Sequence, residues 1–221
     1  MATKEFTHLH VHTEYSMLDG AARLGDLFTH AKELGMKSMA TSDHGFLFGA
    51  FDFWRQAKAH DIKPIIGVEA YLTPGTHRTD RSRVRWGDGS RDDVSGGGAY
   101  THMTMWAETT EGMHNLFRAS SIASLEGQLY KPRMDREVLQ TYSKGLIATT
   151  GCPSGEVQTR LRLGQFDEAI QAASDFRDIF GKDNFYCEVM DHGLDIERNV
   201  QEDLHRLAKQ LNLPYVATND L

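Results

Sequence analysis

The chain has 221 residues, 40% hydrophobic and 25% charged, which excludes the disordered and fibrous classes and makes one globular domain the default. Its formal charge of −7 provides no global positive field, so it does not read as a simple DNA-coating module, and an anionic substrate must be met by local cations or metal ions. No apolar run approaches the ~20 residues of a membrane span, the start MATKEFTHLH lacks the apolar stretch of a signal peptide, and Cys152 and Cys187 are too few for a disulfide scaffold; the expected place is the cytoplasm, with no membrane partner.

FTHLHVH (6–12) reads as a strand, in which His8, His10 and His12 share one face because alternate side chains do. LGDLFTHAKELG (24–35) reads as a helix with Leu24, Leu27, Phe28, Ala31 and Leu34 on one side and Gly35 as its stop. MKSMATSD is the second strand, FLFGAFDFWRQAKAH the second helix and KPIIGVEAYL the third strand. Beyond a long polar stretch, YTHMTMWAE alternates as a strand, TEGMHNLFRASSIAS follows as a helix and KGLIATTG as a buried strand. QFDEAIQAASDFRDIF (165–180) leads as a helix into the strand NFYCEVM. DIERNVQEDLHRLAKQLN then places Ile196, Val200, Leu204, Leu207 and Leu211 on one stripe before the last strand, LPYVATND. Seven strands separated by helices predict a parallel α/β architecture, a barrel or a doubly wound sheet, with chemistry at the C-terminal strand ends.

Those ends carry His10 and His12, then Asp19; Asp43 and His44; Glu69; Cys152; Glu188 and His192; and Asp220. Imidazole, carboxylate and thiol are the side chains that bind divalent transition metals. Each has an ordinary alternative: Asp43 as a turn former, Glu69 as the partner of a lysine, Cys152 as a small buried hydrophobe. So many ligand types at successive strand ends favour a shared metal site over a run of coincidences. His102 fits this rule less well, because a strand beginning near Tyr100 puts it at the opposite end.

The stretch from 73 to 99 is far longer than an ordinary connection and rich in Gly, Arg and Asp, so it reads as a surface loop. Either it is a solvated insertion, or Arg78, Arg81, Arg83, Arg85 and Trp86 touch a nucleic-acid backbone and base.

HLHVHTEYSMLDG, TSDHG, IIGVEAY, HMTMWAETTEGMHNLFRASS, GCPSGEV and VATND together resemble the PHP (polymerase and histidinol phosphatase) domain found at the N-terminus of bacterial replicative DNA polymerase III alpha subunits, in its active-nuclease form. The resemblance covers nearly the whole chain. It implies an α/β fold, a distorted (βα)7 TIM-like barrel of the PHP type truncated near the seventh strand, occupying residues 1–221 with the insertion at about 73–99 and without a polymerase body. It implies three divalent metal ions, Zn, Mn or Fe, held by His10, His12, Asp19, His44, Glu69, His102, Cys152 and Asp220, with His8 outside the set. The family pattern ends in a further histidine, which would be residue 222, so an incomplete cluster is expected of a chain stopping at Leu221.

The implied function is a 3′–5′ exonuclease that proofreads. Glu69, His12, Asp19 and Asp220 are its expected catalytic groups, with Asp43 holding a histidine ring and Glu188, His192, Arg81, Arg83 and Arg85 supporting the site or touching substrate. The implied partners are a DNA 3′ end, single-stranded or frayed, the polymerase body of the same parent chain and replisome subunits. The competing readings are a small-molecule phosphomonoesterase resembling histidinol phosphate phosphatase, and a metal-stabilised structural module without catalysis.

Overall fold

The computed structural model describes residues 6–90 and 93–221; the leading residues 1–5, and 91 and 92 of the insertion, lie outside the described residues. Helices α1 (Leu24–Glu33), α2 (Ala50–Ala59), α4 (Thr110–Glu126), α7 (Phe166–Phe180) and α8 (Asp195–Leu211) stand where the apolar periodicity places them, joined by a glycine turn α3 (Ser95–Gly98) and short helices α5 (Arg136–Tyr142) and α6 (Glu156–Arg162). The strands are β1 (Ser38–Thr41), β2 (Lys63–Leu72), β3 (Thr101–Ala107), β4 (Gln128–Leu129), β5 (Lys131–Met134), β6 (Leu146–Thr149), β7 (Phe185–Val189) and β8 (Tyr215–Ala217). Local chemistry sets several boundaries. Thr109 accepts from Gly112 N to cap α4, Asp135 accepts from Val138 N to cap α5, and Asn212 in the left-handed region ends α8.

The ten residues of β2 organise the sheet: the first half pairs with β1, the last two residues with β5, and the other edge with β3. From β3 the order continues through β6 and β7 to β8. The segment 8–12 joins the two ends. It bends at His10 and forms no regular strand, yet Ala40 N donates to His8 O and Ser42 N to Val11 O on one side, and His12 N to Leu221 O and Leu221 N to His10 O on the other. Leu9, Ile65, Trp106, Ile147, Tyr186 and Val216, one from each of six neighbouring elements of this ring, line a cavity of about 270 Å³ at one mouth. The barrel is therefore apolar at one end.

The sheet is mixed rather than parallel, because β3 runs antiparallel to both β2 and β6. A parallel neighbour needs a crossover, usually a helix, and among the described residues the chain between β2 and β3 supplies only the turn α3. Two cores fill the layers: one between the sheet and α4 to α8, built around Leu116, Met105, Phe176, Phe185 and Leu207, the other under α1 and α2 around Phe28, Phe53 and Met39. Gly67 is required where β2 meets β3, since a Cβ there would lie 2.3 Å from Met105 O and 2.4 Å from the Trp106 ring.

The insertion is tied down rather than merely solvated. Arg133, 1% exposed, donates to the carbonyls of Gly127, Ala99, Arg78 and Asp80. Asp93 accepts backbone N–H groups from Trp86, Gly87, Gly89 and Val94, and Arg160 stacks 3.7 Å over the Trp86 ring.

Candidate metal centre

Although segment 8–12 bends at His10, His10 and His12 turn their rings into one cup, with centroids 5.3 Å apart. His8 turns elsewhere, packing edge-on against Phe6. His44 follows β1 and bridges to Glu69 of β2. Gly45, at φ +69°, lets the chain turn where a Cβ would meet the Tyr71 ring at 2.8 Å.

Reversal of β3 resolves the misfit of His102: the start of an antiparallel strand lies at the same mouth as the end of its neighbour, and His102 stands opposite Tyr71, two residues after Glu69. Cys152 follows β6 and Asp220 follows β8, the latter at φ +46°.

Glu69, 1% exposed, is the centre of the cup. Its Oε2 lies 2.6 Å from His44 Nδ1 and 3.5 Å from His12 Nε2, and its Oε1 lies 3.0 Å from His102 Nδ1 and 3.2 Å from Cys152 Sγ. Asp220 Oδ1 lies 3.4 Å from His10 Nε2 and 3.2 Å from His12 Nε2, and Asp19, 63% exposed, reaches His44 Nε2 at 2.7 Å from the rim. Three triplets result, His10–His12–Asp220, His12–His44–Glu69 and Glu69–His102–Cys152, with the donor atoms of each within 4.8 Å of one another.

Buried polar atoms are almost always hydrogen-bonded. Here His10 Nε2, His44 Nδ1 and Glu69 Oε2 are buried without a hydrogen bond, although the last two are close, and all three belong to the cup. Lone pairs gathered in this way fit divalent cations, and the mixed nitrogen, oxygen and sulfur set fits zinc, manganese or iron. A fourth triplet, His77, Asp135 and Glu137, does not fit, because Arg78 Nη1 already pairs with both carboxylates at 3.1 and 2.9 Å.

Charge in the cup is mutually supported. Burial opposes ionisation of Glu69, but His102, His10 and His44 hold its carboxyl well below the usual range. Burial likewise opposes a charged His10, and Glu188 and Glu69 outweigh it, raising His10. Burial, then Glu69 and Asp220, push the Cys152 thiol up, so a thiolate there needs the positive charge of a bound cation.

Behind these groups stands a supporting layer. Glu188, fully buried, accepts from His10 Nδ1 at 2.7 Å, from Thr218 Oγ1 at 2.7 Å and from Thr149 Oγ1. Asp43 touches no histidine, contrary to expectation; it accepts from Thr13 N, Thr13 Oγ1 and Ser16 Oγ, and Ser16 Oγ lies 3.2 Å from His12 Nδ1. Its hold on the ring is one residue removed. His192 is also outside the cup: it joins Glu197 at 2.6 Å and the Asn219 carbonyl, bracing the turn that carries Asp220.

Arg81 and Arg83 bond carbonyls of Gln128, Gly96 and Gly97. Arg85 is exposed, and no hydrogen bond or ion pair among the described residues joins any of the three to the cup. Thr149, Thr218 and Ser16 are not legible in the sequence, because a hydroxyl at a strand end carries no pattern of its own.

Residues 8–192 match the PHP domain family. The chain belongs to that family. Curated relatives of this PHP chain include the DNA polymerase III subunit alpha of Saccharopolyspora erythraea, 60% identical over 100% of the chain and 19% of the relative. That of Mycobacterium leprae is 55% identical over 100% and 19%, and that of Deinococcus radiodurans 44% over 98% and 16%. The chain thus spans about a fifth of the length of these relatives. Among solved structures, one described as a metal-dependent phosphoesterase, from Bifidobacterium adolescentis, aligns with TM-score 0.53 and 14% identity over 99% of this chain and 88% of that one. An amidohydrolase from Chromobacterium violaceum aligns with TM-score 0.55 and 12% identity over 97% and 87%. Both share the fold. No helix among the described residues is long and apolar enough to cross a membrane.

Proposed function

We propose that this chain, residues 1–221, is the PHP domain of a replicative polymerase alpha subunit and hydrolyses DNA from a 3′ end, releasing nucleoside monophosphates. The observation that carries this reading is the gathering in one cup of three donor triplets from separate elements, two of them sharing Glu69, with buried donor atoms left without a hydrogen bond. Eight side chains would hold three ions: His10, His12, Asp19, His44, Glu69, His102, Cys152 and Asp220. Divalent cations held there would polarise the phosphate, lower the pKa of water towards neutrality and offset charge on the leaving oxygen.

The chain's own residues set the geometry. Glu69 faces two triplets with its two oxygens and is the carboxylate that would be shared between ions held there. His12 belongs to two triplets and couples them. Asp220 closes the cup from β8, while Asp19, the most exposed of the set, is the carboxylate an arriving 3′ end meets first. A frayed end reaches such a pocket more readily than a paired one, because it is already unstacked, so the activity suits proofreading beside a polymerase body and its replisome partners in the cytoplasm.

The test is nucleotide release from single-stranded DNA by manganese-loaded protein, with and without chelator, beside a phosphomonoester. Release from DNA that is abolished together with metal content in the His10→Ala, His12→Ala double variant is the expected result. Turnover of the monoester alone, or full activity in the double variant, overturns the proposal.

A further inference from the structure

The sequence pattern predicts no element between α4 and β6, yet the β4–β5 hairpin there stands beside the metal cup. Tyr71, 3% exposed, lies with its ring 5.7 Å from that of His44 and 5.0 Å from that of His102. Over the same ring, at 5.3 Å, sits the ammonium of Lys131, the first residue of β5. A cation over an aromatic face is attracted by the ring quadrupole, so Tyr71 holds this charge one ring's breadth from two cup histidines.

Lysine near carboxylates ordinarily pairs with one, and the cup is rich in them. Yet Lys131 has no carboxylate partner among the described residues. The cup's carboxylates are turned to histidines instead: Asp19 to His44, Glu69 to His44 and His102, Asp220 to His10 and His12. The result is a half-buried, pre-positioned, unneutralised ammonium at the edge of an acidic site in a chain of charge −7. Tyr130, at the hairpin tip, carries Arg83 over its own ring at 5.1 Å, so a second cation stands over the residue that precedes Lys131.

We infer that Lys131, seated on Tyr71, is a substrate-binding residue that takes the phosphate adjoining the scissile one, so that a polynucleotide rather than a lone phosphate ester is the preferred substrate. This deepens, and rests on, the reading of the cup as a phosphodiester site. A single-stranded backbone supplies a row of phosphates at fixed spacing, and one ammonium beside the cup selects ligands that have a second phosphate to offer. A small diester with one phosphate gains nothing from it.

The test uses Lys131→Met, which keeps the apolar stem over Tyr71 and removes only the charge, with Lys131→Arg as the conservative variant. On a 3′-hydroxyl oligonucleotide, Lys131→Met should raise KM about tenfold, the size of one charge-assisted hydrogen bond, with kcat and metal content unchanged. The slope of log K for single-stranded DNA against log salt should fall by about 0.7, the value of one neutralised phosphate, and Lys131→Arg should restore most of both. Turnover of bis-nitrophenyl phosphate should not change. An unaltered KM and slope, or an equal loss on the one-phosphate diester, overturns the assignment. If the parent chain released no nucleotide at all, the proposed function would fail, while the salt dependence of oligonucleotide binding would still decide the role of Lys131.

Discussion

Replacing Glu188 by glutamine tests the layer behind the cup. A carboxylate only accepts hydrogen bonds, so its 2.7 Å approach places a proton on His10 Nδ1 and makes Nε2, which faces Asp220 and Glu69, the nitrogen that would meet a cation. Glutamine keeps the shape but exchanges one oxygen for a donor, facing either Thr149 or Thr218, both of which donate to Glu188. If the amide turns its oxygen to His10 the tautomer survives but loses the charge that makes the ring a better base. If it turns its nitrogen there, the ring must flip.

Removing such a partner of a ligating histidine lowers metal affinity about 10- to 100-fold, which is about 1.4 to 2.7 kcal/mol. Competition with a chromogenic chelator measures this directly, and His10→Ala, which deletes the ligand itself, should lose more. Affinity within twofold of the parent in Glu188→Gln, alongside a large loss in His10→Ala, would refute the claim that Glu188 conditions His10.

Three further outcomes follow from other parts of the molecule. Arg133→Met should lower stability to urea by about 1–3 kcal/mol, because the buried carbonyl of Ala99 loses its donor while that of Gly127 keeps the Arg133 backbone N–H, and proteolysis within 73–99 should accelerate. Asp93 gives a pH signature: burial opposes its ionisation, but the N–H groups of Trp86, Val94, Gly87 and Gly89 hold its carboxyl below the usual range. Its contribution is therefore complete above the ordinary carboxyl value of about 3.9 and is lost as pH falls through the depressed one, so Asp93→Asn should destabilise at neutral pH and match the parent in strong acid. Replacing Arg81, Arg83 and Arg85 together by alanine should flatten the salt dependence of DNA binding by about 0.7 for each phosphate the wild-type arginines neutralise; an unchanged slope assigns these arginines to the solvated surface. Deleting residues 77–97 would be a poorer test, since it strips Arg133 of the Arg78 and Asp80 carbonyls.

The cup was legible from sequence because ligand chemistry and strand-end position coincide: His10, His12, His44, Glu69, Cys152 and Asp220 meet as alternation and the strand-end rule require. Asp19 reaches the rim from a turn. The direction of β3 was not legible, since a strand looks the same read either way along its neighbours, and only its register, from Gly67 opposite Trp106 to Leu72 opposite Thr101, reveals it. Nor was the β4–β5 hairpin, whose KPRM carries a proline and two cations and alternates nothing. Asp43 and His192 were read as close to the reacting groups because they stand at strand ends. Both spend their hydrogen bonds on turns, which strand-end position does not distinguish from ligation.

The reversal of β3 also separates two kinds of change. Residues 73–99 leave and return at the same mouth, as the arc of a hairpin does, so its exposed cations can change while the register of the staves around it stays put, provided the Arg78, Asp80 and Ala99 carbonyls that seat Arg133 are kept. What the arc presents at the opening and what anchors it to the barrel are thus carried by different residues.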